Sequence, residues 1–183
     1  MKSASDEHIL QMLRNAATFE RGFALLMDTF QEQLYKHIRR LVHNHEDAND
    51  VLQNTFIKVF KGLKNFEGKS KLYTWLYRIA SNESMSFLQR KRTEHSVNAE
   101  GTAVWNQLEA DVYFDGDEAQ ILLKKAIDAL PDKQKLVFNM HYYDEMPYGE
   151  MSEVLETSAG ALKASFHHAV KKIERFVQES EGK

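Results

Sequence analysis

The sequence predicts an all-α protein of two small helical domains joined by a flexible acidic linker, the second domain carrying a helix-turn-helix. Three observations lead there. Apolar residues recur at spacings of three and four, and no stretch alternates convincingly with period two. The two prolines, Pro131 and Pro147, each stand beside a plausible helix start, where a missing amide hydrogen costs little. Between Ser96 and Glu118 the periodicity fades into an acidic, glycine-containing stretch suited to a linker.

The elements follow in order. Residues 1–17 form an N-terminal extension, and the first domain spans 18–95. Phe19 to His43 carries helical periodicity. In EDANDVLQNTFIKVFKGL, Leu52, Thr55, Phe56, Val59 and Leu63 line one side, and Asp50, Gln53, Asn54, Ile57 and Lys61 line the other. Gly62 and Gly68 mark a break and a loop, NFEGKSK. The next helix is LYTWLYRIASNESMSFLQRK, with Leu72, Leu76, Ile79 and Phe87 as its expected buried stripe. After the linker, 96–118, the second domain spans 119–183. Its helices are AQILLKKAIDAL, DKQKLVFNMHYY, YGEMSEVL and a long last helix. Only Glu156, Thr157 and Ser158 separate the final two, which makes them a helix-turn-helix candidate. Ser158 suits the N-cap of the last helix. Leu162, Phe166, Ala169, Ile173 and Val177 give that helix an inward face. Gly160, Ala164, His167 and Lys171, flanked by Lys163 and His168, lie opposite.

Composition bounds the function. Hydrophobic residues make up 43% and charged residues 28%, ordinary for a soluble globular chain. Cysteine is absent, which excludes disulfides and thiolate chemistry. No apolar run suits a bilayer, and the start, MKSASDEHIL, lacks the form of a secretory signal, so the expected location is the cytoplasm with no membrane insertion. Net charge is −3, but it is unevenly spread. Thr18 to His95 holds 13 Lys and Arg against 9 Asp and Glu, while Ser96 to Glu118 holds 6 acidic residues and no Lys or Arg. Residues 119–183 are nearly neutral, with 9 basic against 10 acidic. A nucleic-acid surface is therefore local and expected first in 18–95. No phosphate-cradling glycine loop, placed nucleophile or metal-ligand spacing is present. Neighbours such as His167 and His168 diverge by about 100° on a helix. No enzyme activity, cofactor, metal or small-molecule substrate is expected.

Two motif blocks carry a resemblance. ALPDKQKLVFNMHYYDEMPYGEMSEVLETSAGALKASFHHAVKKI resembles region four of extracytoplasmic-function sigma factors, through Leu130-Pro131, through Tyr148, Glu150, Met151 and Leu155, and through Ser158, Gly160, Leu162, Lys163, His167, Ala169, Lys171 and Lys172. Ala164, Ser165, His168 and Val170 depart from the polar or basic residues many members carry. DANDVLQNTFIKVF and FEGKSKLYTWLYRIASNE resemble region two, with Thr74, Trp75, Leu76, Arg78, Ile79, Ala80 and Asn82 fitting the pattern and QRKR following. The order and the short length match the two-domain type without region three.

The resemblance implies a sigma factor that directs bacterial core RNA polymerase to specific promoters and promotes minus-10 melting. It implies core-polymerase contacts at Asp50, Gln53, Asn54 and Ile57. It implies minus-10 contacts at Lys69, Lys71, Thr74, Arg78 and Asn82, with Ser81 and Gln89 on the same outer side. It implies minus-35 contacts at Ser158, Gly160, Lys163, His167, His168 and Lys171. Lysine and arginine neutralise phosphates, and asparagine and histidine can meet base edges. Partners are then core polymerase and promoter DNA, with an anti-sigma factor as a common regulator in the family. Trp75 is expected in the core. Two other readings use the same residues differently: a regulator acting without polymerase, which has no need of the region-two block, and a purely protein-binding module, which has no need of QRKR and the loop lysines.

Overall fold

The computed structural model describes residues 6–97 and 118–181. Eight α-helices are present among them: α1 (Asp6–Arg14), α2 (Phe19–Val42), α3 (His45–Gly62), α4 (Leu72–Val97), α5 (Glu118–Asp128), α6 (Asp132–Tyr142), α7 (Tyr148–Leu155) and α8 (Ala159–Glu181). Most of the expected linker, from 98 to 117, lies outside the described residues. The chain divides into two compact units, the first centred on α1 to α4 and the second on α5 to α8.

In the first unit, α2 presents Leu26, Leu34, Ile38 and Leu41 to the core without exposure, and α3 adds Ala48, Val51 and Val59. Each fully buried aliphatic side chain of this size contributes roughly 1.5–3 kcal/mol of transfer free energy. The turn between these helices is short because His43 takes a left-handed conformation at φ 64 and Asn44 caps α3, its side chain accepting from the Glu46 amide at 2.8 Å. The N-terminal extension contains a helix that periodicity over so few residues did not reveal. α1 buries Ile9 completely, and its Met12 crosses α2 where Gly22 leaves room. A Cβ on Gly22 would stand 2.8 Å from the Met12 Cβ. The connection is tied by Thr18, whose hydroxyl donates to the Met12 carbonyl at 2.8 Å.

α4 is buried more broadly than one stripe. Besides Leu72, Leu76 and Ala80, it encloses Thr74, Tyr77, Ser81, Glu83 and Ser84, while Ile79 and Phe87 are only partly buried. Three of the polar members find partners locally or across helices. Ser84 donates back to the Ala80 carbonyl at 2.9 Å, Ser81 Oγ meets Nε2 of the buried His37 of α2 at 3.0 Å, and Glu83 pairs with Lys58 of α3. Trp75 packs over Gly62, where a Cβ would stand 3.0 Å from its ring, and its ring lies 4.8 Å from that of Phe66. Trp75 was expected in the core, and it is partly buried in these contacts.

In the second unit, Ala126, Ile127 and Leu130 pack with Phe138 of α6 and with Ala169 and Ile173 of α8. Phe166 stacks on Phe138 with centroids 5.6 Å apart. α7 buries Met151 and Val154, and the reversal into α8 passes through Glu156 at φ 51. The inward face expected for α8 divides into buried Leu162, Ala169 and Ile173 and partly buried Phe166 and Val177.

Candidate functional site

The residues singled out by sequence fall into three places. The first is a groove between α2 and α3 of about 440 Å³. Phe23 and Met27 of α2 and Leu52, Phe56, Ile57 and Phe60 of α3 supply its apolar lining. Ile57 is 45% exposed and Phe60 48% exposed, although Phe60 is held edge-on by Phe19 and Phe23, with centroids 5.5 and 5.2 Å away. Of the four residues expected here, Gln53 and Ile57 line the groove. Asp50 and Asn54 are exposed on α3 and are not part of its lining. Phe60, Phe23 and Met27 were missed. Phe60 lies three residues after Ile57, on the same face, and that spacing could have identified it.

The second place is the loop before α4. Its chain reversal uses Gly68 at φ 72, a left-handed conformation that favours glycine. Lys69 and Lys71 are exposed on this loop, and Lys69 pairs with Glu67 in a solvent-facing ion pair. Pairs of this kind hold weakly, at about 0–1 kcal/mol, so the lysine can be released to another anion. On α4, Asn82 and Gln89 are exposed and Arg78 is partly buried. Thr74 and Ser81 correct the expectation of an outward role. Thr74 is fully enclosed, with its hydroxyl lacking a hydrogen-bond partner, and Ser81 is 1% exposed against His37. Both are small enough to sit in a helix face that packs closely, so the outer side implied by the resemblance does not hold for them.

The third place is α7, the turn and the start of α8. Ser158 Oγ accepts from the Ala161 amide at 3.3 Å, so its side chain is engaged as the N-cap. Gly160 is exposed, and a Cβ there would meet nothing within 4 Å; the same holds for Gly149 in the first turn of α7. Both helix starts therefore offer bare backbone to an approaching surface. Lys163, His167, His168 and Lys171 are all exposed on α8. The Lys163 ammonium sits 5.7 Å from the Tyr148 ring centroid, and Tyr148 in turn stacks on His141 at 4.3 Å. Partial burial raises the Tyr148 pKa. The rings of His167 and His168 stand 6.3 Å apart.

Chemically, the three places offer an exposed apolar groove, a lysine-bearing loop beside a helix with an exposed asparagine, and a helix start with bare backbone flanked by cations. No helix among the described residues is long and apolar enough to cross a membrane.

Comparison with known proteins matches two regions of the chain, one in each unit. The family model for sigma-70 region 2 matches residues 26–94, and the model for sigma-70 region 4 matches residues 120–173. The ECF RNA polymerase sigma factor SigW of Bacillus subtilis is 29% identical over 156 residues, covering 80% of this chain and 83% of that protein. The sigma factor RpoE in complex with the anti-sigma factor NepR, from Bartonella quintana, has a TM-score of 0.68 at 21% identity, over 85% of this chain and 96% of that one. CnrH in complex with the cytosolic domain of CnrY has a TM-score of 0.68 at 19% identity, over 96% of this chain and 99% of that one. With both sigma-70 regions in order on one short all-helical chain, this protein belongs to the extracytoplasmic-function family of RNA polymerase sigma factors, which confer promoter-specific transcription initiation.

Proposed function

We propose that the three places divide the work of initiation. The domain of residues 18–95 docks on core polymerase through the α2–α3 groove and engages the minus-10 element through its loop. The domain of 119–183 engages the minus-35 element through α8, and residues 96–118 connect them. The observation that carries this division is the pairing, within one unit, of an exposed apolar groove with a separate cationic loop. Protein docking is driven by apolar burial and nucleic-acid contact by phosphate neutralisation, so the two surfaces need not compete.

Within this division, Ile57 and Gln53 act in the groove, and Asp50 and Asn54 act on its exposed flank. Lys69, Lys71, Arg78 and Asn82 face the melted strand. Gly160, Lys163, His167, His168 and Lys171 face duplex DNA, and Ser158 acts through the cap that sets the start of α8. The protein works in the cytoplasm, where it meets polymerase. An anti-sigma factor is a fitting regulator, since both structural neighbours are recorded with anti-sigma partners or a partner's cytosolic domain.

The test is retention on core polymerase. Asp50→Ala with Gln53→Ala changes only exposed residues, where substitutions usually cost within about 0.5 kcal/mol of stability. Retention of the chain on immobilised core polymerase should fall clearly while helicity stays native. Undiminished retention would assign the docking face elsewhere.

A further inference from the structure

The cationic loop has a neighbour that neither the region-two match nor the sequence motifs include. The family model begins at residue 26, so α1 lies outside it. Yet the end of α1 reaches the loop: the Arg14 Nη2 atom is 3.8 Å from the point where a Cβ of Gly68 would stand. Arg14 is exposed, as are Gly68 and Lys69. The guanidinium therefore shares one rim of the first unit with the loop lysines, and the glycine between them leaves the rim unobstructed.

This placement is built into the packing. Ile9 is completely buried, Met12 closes on Gly22, and the Thr18 hydroxyl ties the end of α1 to the start of α2. Three anchors of different kinds fix α1 against α2 and so set where its last residue stands beside the loop. A cation in the last helical turn also offsets the exposed carbonyls there, a role any helix could use. That role does not call for a guanidinium to lie against a loop of another element, nor for α1 to be clamped at a glycine.

We propose that Arg14 is an additional phosphate contact for single-stranded nucleic acid, extending the cationic loop of Lys69 and Lys71 from a helix outside the matched region. The inference rests on the loop's role in minus-10 engagement. Arginine suits it because the planar guanidinium can hold two phosphate oxygens at once and stays charged at any physiological pH. Gly22 then acts as a positioning residue: a larger side chain there must push α1, and Arg14 with it, away from the loop.

The experiment uses holoenzyme formed with core polymerase and a fluorescent oligo(dT) single strand, titrated at several salt concentrations. Oligo(dT) isolates the phosphate contribution from base recognition. Loss of one phosphate contact on a single strand lowers the magnitude of the slope of log K against log salt by about 0.7. Arg14→Ala should give that drop, Arg14→Lys should largely restore the slope, and Gly22→Val should reproduce the drop with Arg14 intact. Lys69→Ala and Lys71→Ala serve as references for the loop itself. If both lysine variants lower the slope and Arg14→Ala does not, this inference is wrong and the loop's role stands. If none of the three changes the slope, the loop's role fails and the inference falls with it. A fall in helicity for Arg14→Ala with an unchanged slope would mean the residue serves only α1, which also overturns the proposal.

Discussion

Phe60 is the residue on which the docking groove can be tested most quantitatively. It is 48% exposed at the groove rim, with the rest of its ring held by Phe19 and Phe23. An aromatic side chain buries about 150–250 Å² when fully covered, so roughly 100 Å² of Phe60 remains to be covered by a partner. At about 25 cal/mol per Å², that is roughly 2.5 kcal/mol of docking free energy. This is an upper bound, because interface area converts incompletely into affinity. Phe60→Ala should therefore weaken core-polymerase binding by several-fold and at most about sixtyfold, at about 1.4 kcal/mol per tenfold. The same change removes two edge-on ring contacts worth about 0.5–1.5 kcal/mol each, so the fold is destabilised but not abolished. Phe60→Leu keeps an apolar rim and should lie between wild type and Ala. Binding is measured by anisotropy of labelled protein titrated with core polymerase, and folding by urea denaturation of the same samples. A Kd within twofold of wild type for a folded Phe60→Ala variant would refute the groove as the docking surface.

Three further predictions concern the second unit. Lys171→Ala should weaken holoenzyme binding to duplex promoters of every sequence and reduce the salt slope by roughly one, whereas His167→Ala should change which minus-35 sequences are preferred in a binding selection. Gly160→Val should leave the fold intact, since a Cβ there meets open space, but should impair duplex binding by blocking close approach of the helix start. Burial holds the Lys135 pKa below the usual lysine value of 10.5, against the opposing pull of the Asp128 carboxylate. The unfolded chain thus holds that proton more tightly than the folded chain. The resulting penalty is fully present below the depressed folded pKa and is relieved as pH rises toward 10.5. In urea denaturation, wild-type stability relative to Lys135→Met should accordingly increase with pH over that window, and a constant difference would count against it.

The all-helical fold was legible because its signals are local. Three-and-four spacing marked α2 to α8, and Ser158 and the three residues after Leu155 marked the helix-turn-helix. Less legible was whatever depends on close packing between helices. α1 is only nine residues long, and its docking depends on the absence of a side chain at Gly22, which no periodicity reports. Thr74 and Ser81 were placed on the outer side of α4 by the resemblance, yet α4 encloses them because small side chains permit close approach and His37 supplies a partner for Ser81. In the groove, Ile57 could be seen as an exposed apolar residue, but its partners Phe23 and Met27 come from another helix, and only the fold brings them together. The helix start of α8 was the most legible part of the candidate site, since capping and spacing there are read directly along the chain.

The central claim is that this chain selects promoters as part of polymerase and not alone. The most direct measurement is run-off transcription by purified core polymerase, with and without the chain, on a library of randomised duplex fragments. The account predicts transcripts that appear only when the chain is present, from templates sharing two spaced elements, and weak duplex binding by the free chain because residues 119–183 are nearly neutral. Transcripts independent of the chain, or tight sequence-specific duplex binding by the chain without polymerase, would contradict it.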